Sequence, residues 1–258
     1  MRDIEMDAAG EIFARCWAAA GRHIQAQGQG GVQWLKARLE PPFLEHLSFR
    51  LGNQLFFVRI FDIDGRVSVP GNEVGYRAIA EGYLGHPCLM PMQERLGDWE
   101  PFSPGWGLVD PETGKILDPV SLVSDELIEM TDWELQDFAV QIVRAALKKD
   151  GREIMSSQGS PRINPSIWFV GDDGPEWVLV RAARYPAKEA PMPADIDEIA
   201  WLASRNDEPG HFASVSVSSA AERDNVTGHP VPLWRGHALN VRYPGLSRLK
   251  PHAERLSP

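Results

Sequence analysis

The segment from Thr131 to Gly151 limits the fold more than any other part of the chain. Leu135, Phe138, Ala139, Ile142, Val143 and Ala146 recur at three- and four-residue spacing. That spacing places them on one face of an α-helix, and the apolar face then needs a partner to cover it. Thr131 and Glu134 have the spacing of a capping box, and Met130 is placed to staple against Leu135. Lys148 and Lys149 fall in the last turn, where cations suit the helix dipole, and Gly151 is placed to end the helix.

The residues that follow supply candidate cover. Arg152-Glu153-Ile154-Met155 has the character of a short strand. Ile163 to Val170 and Glu176 to Arg184 are apolar runs about the turn Asp172-Asp173-Gly174, which predicts an antiparallel pair. Asp195 and Glu198 again have capping-box spacing and open a helix that runs through Trp201 to Ser204. His211 to Ser218 alternates as a half-buried strand does, and Leu233 to Val241 is one more candidate strand. From Pro244 the composition is that of a tail, so 246–258 is set apart from the fold.

The first half is less sharply punctuated. Residues 7–20 are Ala-rich and helical in character, and the Gly-rich run 25–31 breaks the helix. A second helical pattern is expected over Trp34–Leu39 and a third over Phe43–Leu51, around Pro41-Pro42. Gln54 to Phe61 is rich in aromatic and β-branched residues and predicts a strand, with Asp64-Gly65 turning it towards a partner at Arg66–Val69. Glu73 to Leu84 predicts a helix, and the Pro- and Gly-rich residues 85–105 a surface loop pinned by Trp99, Phe102 and Trp106. Gly107–Asp110 and Lys115–Leu117 flank a turn as two short strands. No internal repeat is visible. The organisation expected is a mixed region at 1–125, a core at 126–245 and the tail.

Composition narrows the function. The formal net charge of -10 disfavours nucleic acid, because phosphate binding depends on Lys and Arg. Cys16 and Cys88 alone build neither a disulfide framework nor a cysteine-rich zinc site, which fits a reduced, cytoplasmic protein. The apolar runs fall far short of the ~20 residues of a membrane span. A protein partner is the expectation that is left, with no membrane association.

The predicted order from 131, helix, strand, strand, strand, helix, strand, resembles the PD-(D/E)XK or restriction-endonuclease-like core over roughly 131–220. In that family a Pro-Asp pair opens the second strand. On the next strand an Asp or Glu lies two residues before a Lys, and the two acids hold Mg²⁺ beside the attacking water. Here Pro165-Ser166-Ile167-Trp168-Phe169 has the shape of the first motif and Val178-Leu179-Val180-Arg181 that of the second. Ser166 and Leu179 stand where the acids should be, and Arg181 where the Lys should be. The resemblance therefore implies the fold, an α/β (α+β) architecture with an αβββαβ core, and argues against the family's metal chemistry.

The remaining chemistry falls into three readings. A non-catalytic binding protein, inhibitor- or immunity-like in its use of charge, is the first. A metal-dependent nuclease with relocated acids, Glu134 or Glu176, is the second, and Mg²⁺ enters only there. A small-anion module around Arg181 is the third, drawing on the polar set Gln158, Arg162, Asn164, Ser166, Arg181 and Arg184. Glu134 is read first as a helix cap, Asp172, Asp173 and Glu176 as turn residues, and His86-Pro87-Cys88 as structural. His211, His229 and His237 match no metal motif. Trp99, Phe102 and Trp106 read either as anchors for a partner or as a loop tacked onto its own core.

Overall fold

The computed structural model describes residues 10–36, 46–69, 73–203, 208–221 and 231–249. The chain divides into two compact units, Met1–Ile128 and Glu129–Pro258. Each mixes helices with one mixed sheet, so the fold class is α+β.

The first unit runs α1 (Glu11–Gln27), β1 (Val32–Lys36), β2 (Leu47–Leu51), β3 (Gln54–Asp62), α2 (Glu73–Gly82), β4 (His86–Arg95), β5 (Asp98–Pro101), β6 (Leu108–Val109) and β7 (Ile116–Leu117). A 3-10 turn, Pro119–Leu122, follows, capped by the Asp118 side chain. β1, β2 and β3 form an antiparallel meander, α2 crosses over, and β4 returns parallel to β3. α1 buries Phe13, Cys16, Trp17, Ala20 and Ile24 in one cluster with Phe49, Phe56, Val58, Ile60, Cys88 and Met90 of the sheet. Residues of the other sheet face meet α2. There the rings of His46, Phe57, Tyr76 and Tyr83 pack together, and Tyr76 donates a 2.6 Å hydrogen bond to the Cys88 carbonyl.

Several expectations are corrected in this unit. α1 continues to Gln27, through the start of the expected loop, and Gly28 closes it by donating to the Ile24 carbonyl. Trp34 begins no helix. Val32–Lys36 is a strand, in which Val32 is buried while Gln33 and Leu35 are exposed, and the rest of 34–39 lies outside the described residues. Leu47–Leu51 is also a strand, with 43–45 outside the described residues. Arg66–Val69 forms no strand, because β3 already has β2 on one side and β4 on the other. The expected surface loop at 85–105 contains the central strand β4. Proline is tolerated at Pro87 and Pro91 because both face away from β3. The Pro91 carbonyl accepts from Phe102, whereas that of Met92 accepts from Ile63. The missing N–H groups therefore fall on the side where β5 and β6 pair only in part.

The second unit runs α3 (Asp132–Lys149), β8 (Ile154–Ser157), β9 (Ile167–Val170), β10 (Pro175–Arg184), α4 (Ile196–Ala203), β11 (Gly210–Ser219), β12 (Leu239–Arg242) and β13 (Ser247–Arg248). Both halves of the Thr131–Glu134 capping box form, and Gly151 takes φ +78. β8, β9 and β10 are an antiparallel meander and β11 lies parallel to β10. α3 covers one face with Leu135, Ala139, Val140, Val143 and Leu147 against Ile167, Phe169, Val178, Val180, Ala213, Val215 and Val217. α4 covers the other with Ile199 and Ala200 against Trp177, Leu179 and Phe212. Trp177 fits because β11 starts with glycine: a Cβ on Gly210 would lie 2.2 Å from Trp177 Cζ2. Burying such a ring contributes on the order of 3 kcal/mol. Ser247 and Arg248 pair with β11, so the expected tail begins later than 246; residues 250–258 lie outside the described residues.

The two units repeat one another, which the sequence does not reveal. Each is helix, three-strand meander, crossover helix, parallel strand. The last strand then takes two antiparallel partners, β5 and β6 on β4, β12 and β13 on β11. The register agrees too. Phe49 and Val58 stand 120 residues before Phe169 and Val178 at corresponding pairings. Val58 is opposite Cys88 in the parallel pair, as Val178 is opposite His211. A bulge interrupts the first pairing at the same place, between Trp34 and Lys36 in one unit and between Ile154 and Ser156 in the other. Identity is confined to scattered core positions such as Phe49/Phe169 and Val58/Val178, too sparse to register as a sequence repeat.

Candidate functional site

The polar set lies where β9 ends and β10 runs on. β9 pairs with β10 only as far as Ile167 opposite Val178, so the backbone of β10 beyond that point needs other partners. Two side chains provide them. Ser166 Oγ accepts from the Val180 N–H at 3.1 Å, while the Ser166 N–H donates to the Val178 carbonyl at 2.9 Å. Gln136, on the first turns of α3, donates to the Val180 carbonyl at 2.9 Å and accepts from the Ala182 N–H at 3.2 Å. Its amide thus stands in for one residue of a neighbouring strand. Ser166 and Gln136 are both buried. Sequence reasoning missed Gln136, although a polar residue beside Leu135 on the apolar face was a readable signal. Leu179, at the second motif's acid position, is fully buried beneath α4.

Arg181 is half-buried next to this closure. Its guanidinium donates to the Val180 carbonyl at 2.9 Å and to Asn164 Oδ1 at 3.0 Å. Burial lowers its pKa from the ordinary value, and the nearby Asp195 acts in the opposite direction. Arg162, on the same loop as Asn164, is exposed and sits over the Trp133 ring at 5.3 Å. Gln158 joins through its backbone N–H, which donates to the Ser166 carbonyl. Arg184 does not join the set. It turns to Glu129, Asp132 and the Met130 carbonyl, where it ties β10 to the chain entering α3.

The two acids considered as relocated metal ligands are both engaged. Glu134 accepts from the Thr131 N–H and from Arg235, whose guanidinium reaches both carboxylate oxygens at 2.9–3.1 Å. Both partners are buried, which makes this a desolvated bidentate pair. Nothing in the local sequence announces Arg235, which lies 101 residues away. Glu176 is half-buried and pairs with His211 across the parallel strands at 2.5 Å. Asp172 is exposed and paired with Arg152, as a turn residue can be, and that pairing holds its carboxyl below the usual range. No group of three His, Cys, Asp or Glu side chains is placed to hold a metal ion among the described residues.

The other candidates fall in the first unit or stand alone. His86 meets Gln54, while Cys88 Sγ donates to the His86 carbonyl. Burial pushes the Cys88 thiol far up, and that of Cys16 up to about 12, so neither is poised as a thiolate. Trp99 and Trp106 are buried in the first unit's core and Phe102 is exposed, so the segment is largely tacked to its own unit. His237 is exposed and donates its backbone N–H to Trp234; His229 lies outside the described residues. No helix among the described residues is long and apolar enough to cross a membrane.

No curated protein and no solved structure matches the chain. A family model described as a domain of unknown function, DUF8840, matches residues 133–249. That span runs from the first turn of α3 past β13, so the chain is similar to this family over the second unit.

Proposed function

We propose that the protein is a non-catalytic binding protein whose second unit, a nuclease-like core stripped of its acids, serves as a scaffold for protein contacts. One observation carries this reading: each position open to a metal-binding acid is already in use. The Ser166 hydroxyl closes the edge of β10 and Leu179 fills the core. Glu134 is held by Arg235, and Glu176 by His211. The order helix, meander, helix, parallel strand supports likeness to the restriction-endonuclease-like core, while these residues leave its hydrolytic step without ligands. An inhibitor- or immunity-like role in the cytoplasm fits the net charge of -10, which would steer a basic protein partner and suppress binding to nucleic acid.

The test has two arms. Full-length protein incubated with Mg²⁺ or Mn²⁺ and mixed DNA and RNA should leave both intact, and an affinity pull-down should return one stoichiometric protein. Metal-dependent cleavage that Glu176→Gln abolishes would overturn the proposal in favour of a nuclease with relocated ligands.

A further inference from the structure

We propose that Arg181, with Asn164 and Arg162, forms an oxyanion site that receives a carboxylate or phosphate group. This rests on the binding reading above and names the chemistry of its contact.

In the second unit Arg152, Arg184, Arg235 and Arg242 each lie within 4.0 Å of a carboxylate, whereas Arg144 and Arg248 meet none among the described residues. Arg181 is half-buried, yet its guanidinium donates to two neutral acceptors, a backbone carbonyl and an amide oxygen. Of five guanidinium N–H groups these two acceptors take one each, which leaves a planar donor fork fixed in orientation and partly desolvated. No carboxylate among the described residues comes within ion-pair distance of it, although Asp195 lies close enough to act on its charge. A cation held in place by neutral groups gains most from an oxyanion arriving from outside, because the ligand restores the charge balance that burial removed.

Two further features favour a site over a packing accident. Arg162, which meets no carboxylate among the described residues, adds a second guanidinium two residues from Asn164, steadied over Trp133. The corresponding position in the first unit, 120 residues earlier and opposite Pro91 as Arg181 is opposite Ser214, holds Phe61, so the fold does not demand a cation there. The first unit is therefore a control within the same chain.

Calorimetric titration of the full-length protein with inorganic phosphate and, separately, with acetate or citrate distinguishes the sources of the oxyanion. Ionic strength is held constant with chloride. One of the anions should bind saturably, and Arg181→Ala should weaken it roughly tenfold or more, the loss of one charge-assisted contact. Arg181→Lys, which keeps the charge and loses the fork, should fall between the two. Asn164→Ala, an exposed change that leaves the core alone, should weaken binding even if Arg181→Ala folds poorly. Equal responses from wild type, Arg181→Lys and Asn164→Ala, or heat signals no larger than those of chloride, would overturn the site. If a captured protein partner is retained undiminished by Arg181→Lys and Asn164→Ala, the oxyanion site fails while the binding reading stands.

Discussion

The same topology and register are filled differently in the two units. In the first, the core positions of the parallel pair are apolar: Phe56 and Cys88 are fully buried. In the second, the corresponding positions carry Glu176 and His211, hydrogen-bonded to one another. Phe61 corresponds to Arg181, and His46, packed at a tilt against Phe57 and Tyr76, corresponds to Ser166. The buried positions of α1 recur in α3 with the same spacing, and there Phe13 gives way to Gln136. Since the first unit folds with apolar or aromatic groups at most of these places, topology alone does not call for the polar ones. They find their partners within the second unit: Gln136 and Ser166 satisfy the β10 backbone, and Glu176 and His211 meet each other.

The largest effect is expected at the Glu134–Arg235 pair. Arg235→Ala strands a buried carboxylate and should cost the second unit about 3–5 kcal/mol, while replacing both partners with apolar residues should cost much less. Urea unfolding followed by residue-resolved hydrogen exchange should show protection lost in α3, β10 and β11 and kept in α1, β3 and β4. Equal loss in both units would mean that they do not fold as separable bodies.

A smaller effect is expected at Gln136. Gln136→Ala leaves the Val180 carbonyl and the Ala182 N–H without their partners, a cost of roughly 1–3 kcal/mol. Exchange at the Ala182 amide should accelerate before that of Val178, which stays inside the ladder with Ile167. An unchanged Ala182 amide would show that the side chain does not replace a strand there.

The smallest effect is acid sensitivity in the first unit. In the first unit burial pushes the Asp62 carboxyl up. The backbone N–H groups of Asp64 and Arg66 and the Arg66 guanidinium outweigh that and bring it below the usual range. The Thr113 backbone N–H, then its hydroxyl, hold Asp110 down as well. A carboxyl with a depressed folded pKa adds stability that is present above its unfolded value and is lost as pH falls through the folded one. The first unit should therefore weaken as pH drops below about 4, where unfolded Asp begins to protonate. Asp62→Asn should flatten that dependence in a pH series of urea melts, and an unchanged slope would contradict the assignment.

Much of the architecture was legible without coordinates, and the reason is locality. The capping box at Thr131–Glu134, the apolar stripe of α3, the turn at 172–174 and the alternation of β11 act over a few residues, so neighbours in sequence determine them. The order helix, three strands, helix, strand followed from those signals. Tertiary structure decided the rest. β4 is a central strand despite Pro87 and Pro91, because only its pairing with β3 shows which side lacks donors. Glu134 meets Arg235 because folding brings together groups 101 residues apart. Ser166 became an edge-closing residue, and Arg181 a cation donating to neutral acceptors, through the point at which β9 stops alongside β10. The repeat itself resides in register and bulge placement. Many different side chains satisfy those constraints, and so the backbone kept a symmetry that the residues no longer spell out.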